Sequence, residues 1–189
     1  MSYIKWELPT DDGLREVCRI VSQQYLCKVM GVNRTIVSFA IKHTLYNGKP
    51  YYLPSDKVEV ANRAIQRCAK ELRQVVFSTE PLSQDEHPYS YGDTPADQMR
   101  VFRERFKTRY ILIDSMGWTD TKMGMYFNCK THPYYNKVSQ DDLALINRMV
   151  QMAADDLERI VLSPPTSPSG GEEEELDYYE ALLLEESEQ

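Results

Sequence analysis

Apolar residues recur every three or four positions along most of the chain, the spacing that places side chains on one face of an α-helix. From about Thr10 to Met30, Leu14, Val17, Cys18, Val21, Tyr25, Val29 and Met30 keep that spacing and predict one amphipathic helix. Thr10 suits its N-cap, Asp11 and Asp12 suit the positive helix N-terminus, and Gly31 suits a left-handed closing residue. Gly13 costs about 1 kcal/mol against alanine in a helix interior, so the pattern also allows a start beyond it. Residues 35–47 fit two periods. Ile36, Val37, Ala40, Ile41, Thr44 and Leu45 make a helical stripe, whereas Val37, Phe39, Ile41 and Leu45 alternate as in a strand. The helix is favoured, with Asn47-Gly48 as its stop or, in the other case, as a hairpin turn.

Pro54-Ser55-Asp56 introduces a clearer helix to about Val76, capped by Ser55 and carrying Val58, Ala61, Ile65, Cys68 and Leu72 on one side. Residues 78–94 combine chain breakers with polar side chains and predict a surface loop, long enough to be either mobile or functional. Thr94-Pro95-Ala96-Asp97 is a strong helix start, and the helix is expected to run to about Thr108. Tyr110 to Asp114 and Met123 to Lys130 are rich in strand formers and predict an antiparallel hairpin across residues 116–121. Ser139-Gln140-Asp141-Asp142 then opens a helix with Leu143, Ile146, Val150, Ala153, Leu157 and Ile160 on one face, ended by Pro164 and Pro165.

These elements define an α+β class: a predominantly α-helical body of four or five helices with a small antiparallel β-hairpin, followed by a disordered acidic C-terminal tail. Residues 1–162 form the compact domain. Residues 163–189 form a Ser/Pro linker and a tail that is acidic and short of core-forming residues.

Charge sharpens that division. The 189 residues carry 29 Asp plus Glu against 22 Lys plus Arg, for a net charge of −7. Residues 163–189 hold nine of the acids and no base, leaving the body at +2 and the tail at −9. The overall acidity therefore does not exclude an anionic partner for the body. No apolar run reaches the 18 or so residues of a transmembrane helix, and the segment from Met1 to Pro9 lacks the layout of a secretory signal. Cys18, Cys27, Cys68 and Cys129 form no C-x-x-C pair and suit reduced thiols in an intracellular compartment, cytoplasmic or nuclear. Asn33-Arg34-Thr35 fits a glycosylation pattern that has meaning only in a secreted chain.

Phosphate-loop, dinucleotide-binding, zinc-protease and nucleophile-elbow motifs are absent from the sequence. Asp114, Asp120 and Lys122 could hold a divalent metal and an attacking water, as a metal-dependent nuclease would require, although a polar hairpin turn with a surface ion pair is the favoured account of them. Cys129 and His132 have zinc-compatible spacing, but Cys18, Cys27, Cys68, His43 or His87 would have to converge on them. No catalytic residue, metal or cofactor is assigned, and a non-enzymatic role is favoured.

Two helix faces are basic: Arg63, Arg67 and Lys70, with Arg73 close by, and Arg100, Arg103 and Lys107, extended by Arg105 and Arg109. Such faces neutralise phosphates, or simply solvate a helix. In the tail, Leu176, Tyr179, Leu182 and Leu183 would align on one side of a helix over residues 174–186, a pattern that fits a partner groove. Ser163, Ser167 and Ser169 are candidate phosphorylation sites, the first two before proline and the third before an acidic run. The composition is that of a small regulatory or adaptor protein, a viral one being among the sources it suits. It would recruit a protein partner through residues 172–186. The alternatives are a nucleic-acid-binding body autoinhibited by the tail, and the metal-dependent nuclease.

Overall fold

A computed structural model of the protein describes residues 4–42, 51–127 and 138–164. In chain order these form strand β1 (Trp6–Pro9), helices α1 (Thr10–Ile20), α2 (Gln23–Met30), α3 (Arg34–Lys42), α4 (Ser55–Arg73) and α5 (Pro95–Arg103), and a π-helical segment (Arg109–Asp114). Helices α6 (Asp120–Phe127) and α7 (Gln140–Arg159) and strand β2 (Ile160–Ser163) complete it. The two longest helices, α4 and α7, pack on each other through the stripes that their sequences predict. Val58, Ala61, Ile65, Cys68 and Leu72 of α4 are buried, as are Leu143, Ile146, Val150, Ala153 and Leu157 of α7. None of the helices among the described residues is long and apolar enough to cross a membrane.

Among the described residues the expected antiparallel hairpin is absent. The strands are instead β1 and β2, paired in parallel with Trp6 opposite Ile160 and Pro9 opposite Ser163. Where they are described, the supposed hairpin arms are helical: residues 109–114 form the π-helical segment, and Met123 and Phe127 lie in α6. Both Met123 and Phe127 are buried, and their separation of four is a helical spacing that the strand-forming composition masked. Ile111 and Leu112 are adjacent and both buried, so this short apolar run shows no period that separates strand from helix. The true strands escape local patterns for a different reason. β1 is four residues long and contains proline, and β2 continues the apolar stripe of α7 after that helix ends at Arg159.

The described residues contain seven α-helices and the π-helical segment, more than the four or five expected. One cause is a break in the first predicted helix. Val21 and Ser22 are extended, and the Ser22 hydroxyl accepts the Tyr25 N–H to start α2. The backbone groups freed by the break bond to the chain after α5: Ser22 N–H donates to Arg105 O at 2.8 Å, and Lys107 N–H to Ile20 O at 2.7 Å. The same contact ends α5 at Arg103 instead of Thr108, because Phe106 pairs with Val21 in an antiparallel bridge. Buried backbone groups need partners, and here two broken helices satisfy each other.

Caps follow the sequence in part. Gly31 closes α2 with φ of 69°, and Thr94 and Ser139 accept the N–H groups of Asp97 and Asp142 at the starts of α5 and α7. Pro54, not Ser55, occupies the N-cap of α4, and Pro9, not Thr10, that of α1. The Thr10 hydroxyl instead donates to Ser163 O at 2.7 Å, tying α1 to β2. Gly13 lies where β2 crosses α1. A Cβ there would stand 2.2 Å from Leu162 Cδ2 and 3.3 Å from Leu8 Cβ. On β2, Leu162 has both backbone groups paired with the Asn62 amide of α4, N–H to Oδ1 at 2.8 Å and Nδ2 to O at 3.0 Å.

The loop from Ser78 to Asp93 lies on the surface as expected, but it is pinned at several points. Leu82 and Gly92 exchange backbone bonds, each at 3.0 Å. The fully buried Gln98 accepts Ser78 N–H at 2.9 Å and donates to the carbonyls of Glu80 and Gly92.

Candidate binding surfaces

The basic residues of α4 face outward in company. Arg63 lies 3.7 Å from Glu59, and the Arg67 Nε donates to Glu71 at 2.9 Å. Lys70 is exposed, and Arg73 reaches Asp155 at 2.7 Å and Glu158 at 2.8 Å on α7. On α5, Arg100 is 3.9 Å from Asp97, whereas Arg103 is half-buried and loss of water works against its charge. Lys107 is exposed but lies beyond the end of α5, in the segment that bonds to Ile20. Arg100 and Arg103 therefore share a helix, and Lys107 belongs to a different piece of backbone.

A polar cluster joins α2, α4 and the chain around Tyr89. The Glu71 carboxylate is buried and accepts the Tyr25 hydroxyl at 2.5 Å as well as Arg67. The Arg105 guanidinium stands over the Tyr25 and Tyr89 rings at 5.6 and 5.4 Å from their centroids. Burial, and then the hydrogen bond to Glu71, push ionisation of the Tyr25 phenol well above its ordinary range. A phenol held protonated beside a paired carboxylate suits a clamp between elements better than proton transfer. Glu71 carried a signal in the sequence, since it falls between Cys68 and Leu72 on the apolar side of α4. Arg105 carried none, because its role depends on where α5 ends.

The proposed nuclease residues are dispersed in role. Asp114 is exposed at the end of the π-helical segment and Asp120 is exposed at the start of α6. The Lys122 ammonium lies 4.0 Å from the Trp118 ring centroid, 5.6 Å from that of Tyr126, and 3.4 Å from Asp142 Oδ1. Among the described residues, no group of three or more His, Cys, Asp and Glu side chains is assembled to hold a metal ion. Cys129, His132 and His43 lie outside the described residues, as do Leu176, Tyr179, Leu182, Leu183, Ser167, Ser169 and the expected disorder of the tail.

Ser163 is in β2, partly buried, with its carbonyl held by Thr10. It borders an open cleft of about 530 Å³ whose lining includes Glu7, Asp11, Tyr51 and Tyr52. A phosphate on Ser163 would enter a neighbourhood that already holds two carboxylates.

The thiols of Cys18, Cys27 and Cys68 are free. Burial pushes Cys18 up to about 11 and Cys68 up to about 12 from an ordinary value of 9.0. The raised values stabilise the fold fully below the unfolded thiol range, and that contribution is lost as pH rises from about 9 through 11–12. Tyr25 adds to the same alkaline loss above its unfolded value of 10.0. Two results are therefore expected. The unfolding midpoint should fall steadily once pH exceeds 9, and at pH 8 a disulfide reagent should label residues 18, 27 and 68 at least about ten-fold more slowly in folded than in unfolded protein. Equal labelling rates in the two states, read by peptide mass spectrometry, would contradict the burial of these thiols.

Comparison with protein-family models, with curated proteins and with solved structures found no match to this chain.

Proposed function

We propose that the protein is an intracellular, non-enzymatic regulatory adaptor whose helical body carries an acidic-hydrophobic segment, residues 172–186, that recruits a protein partner. The observation that carries this is the composition of residues 163–189: nine acids, no base, and Leu176, Tyr179, Leu182 and Leu183 at helical spacing among them. Acidic residues keep such a segment in water, while the apolar anchors supply the contacts that a groove selects. The body favours the same assignment over nucleic-acid binding. Arg63, Arg67, Arg73 and Arg100 each stand within 4 Å of a carboxylate, so much of their charge is already answered within the protein.

Affinity capture with the full chain and with a chain ending at Pro164, each with and without nuclease, tests the proposal. The cut leaves β2 whole. Protein partners held by the full chain should be lost from the shortened one and displaced by a synthetic peptide of residues 170–189, whatever the nuclease treatment. Retention of every protein partner by the shortened chain overturns the proposal. Capture abolished by nuclease alone would transfer the function to the basic faces of α4 and α5.

A further inference from the structure

Lys122, which the sequence groups with Asp114 and Asp120 as a candidate metal site, sits in surroundings that no metal chemistry requires. Trp118, Lys122 and Tyr126 are spaced by four, so α6 and the turn before it place them along one face. Thr119 accepts the Lys122 N–H at 3.1 Å and fixes where that face begins. The Trp118 and Tyr126 rings stand 5.5 Å apart at 50°, giving the ammonium two π faces, of which the nearer is 4.0 Å away. The third wall comes from another element. Asp142, in the first turn of α7, brings a carboxylate to 3.4 Å of Nζ, and its own N–H is held by Ser139. Trp118 is 7% exposed although its neighbours Gly117 and Thr119 are exposed. Two aromatic faces and one carboxylate around a cation are the components that recognise alkylated ammonium groups.

We propose that Trp118, Tyr126 and Asp142 form a cation-binding site for an alkylated ammonium group, such as an N-methylated lysine of a partner, and that Lys122 occupies it as a built-in competitor. A primary ammonium is strongly hydrated and gives up more water on entering an aromatic site than a trimethylammonium does. Lys122 nevertheless holds the site because it is tethered, so its effective concentration there is high. An incoming ligand has to displace Lys122 into solvent, which its side chain, already 38% exposed, can reach without moving α6. None of these residues belongs to the acidic tail.

The probes are choline and its uncharged carbon analogue, in which a tert-butyl group replaces the trimethylammonium. The readout is the Trp118 indole N–H resonance of the full chain, assigned with Trp6→Phe. In Lys122→Ala, choline should shift that resonance saturably, with an affinity at least ten-fold above that of the wild-type chain, and the uncharged analogue should not. Adding Asp142→Asn should weaken choline binding, and adding Trp118→Ala should abolish it as followed by calorimetry. If Lys122→Ala does not fold, Lys122→Gln is read in the same way, and the wild-type chain itself should still show a weak, saturable shift with choline that sodium chloride does not reproduce. A folded Lys122 variant without a saturable shift, equal affinity in wild type and variant, or an equal response to the uncharged analogue each overturns the proposal.

Discussion

Replacing Phe102 with alanine is expected to lower stability by about 3–5 kcal/mol, the range for removing a fully buried aromatic side chain. That is a large part of the roughly 5–15 kcal/mol by which ordinary domains are stable. Phe102 is inaccessible to solvent, with Phe77 at 5.5 Å on one side and Phe106 at 5.3 Å on the other. Phe106 in turn meets Tyr25 at 6.3 Å and bridges Val21, so the ring stack runs from the chain after α4 to the break between α1 and α2. The effect should therefore be more than a uniform loss. Amide exchange at Ser22 and Lys107, whose N–H groups cross between the two broken helices, should speed up more than exchange within α7. Urea unfolding measures the total. A loss below about 1 kcal/mol, or exchange rising equally everywhere, would show that the stack does not support the break.

The same junction shows what the sequence could and could not reveal. The stripes of α4 and α7 were legible because each helix buries one face continuously, and a period of 3.6 is a local property. Ser22 and Phe106 were not legible as chain breaks. An unbroken apolar period ran through Val21, and only a backbone segment more than eighty positions away, between Arg105 and Lys107, makes an extended Val21–Ser22 satisfy its hydrogen bonds. The parallel pairing of β1 with β2 is non-local in the same sense, with Lys5, Thr10, Ser163 and Glu158 fastening the two ends of the described chain to each other. At the candidate sites, Lys122 was found by residue type and given the wrong surroundings. A lysine two residues after a carboxylate suggests metal chemistry, whereas a helix places it four residues from Trp118 and four from Tyr126. The hairpin assignment therefore concealed the cation site, and Asp142 could be added only once α6 and α7 were brought together.

Gln98→Ala should cost about 2–3 kcal/mol, because it removes both the donor and the acceptor that complete buried backbone bonding. The Gln98 amide is fully buried between the start of the 78–93 loop and its return: Oε1 takes Ser78 N–H at 2.9 Å, and Nε2 reaches Glu80 O at 3.2 Å and Gly92 O at 3.4 Å. Asn carries the same donor and acceptor on a shorter stem, and an ionised Glu presents acceptors only. The loop should then lose its attachment at one end before the core yields. Limited proteolysis should cut between residues 79 and 93 at a protein concentration and temperature at which the parent chain is resistant. Gln98→Glu separates hydrogen bonding from shape. At neutral pH its carboxylate would still accept Ser78 N–H but would face two carbonyls with no proton to offer, and it would be buried without a cation among the Gln98 contacts. Burial raises the pKa of such a carboxyl in the folded state, so folding would favour its protonated form and the penalty should shrink as pH falls toward 4. The variant is expected to be less stable than Gln98→Ala at pH 7 and to recover relative to it at pH 4–5, measured by urea unfolding at both. If Gln98→Glu matches the parent chain at pH 7, the amide donor does not hold this loop, and the pinning must rest on the other bonds, among them Ser78 N–H to the side chain at 98, Gln140 to Thr79 and the Leu82–Gly92 backbone pair.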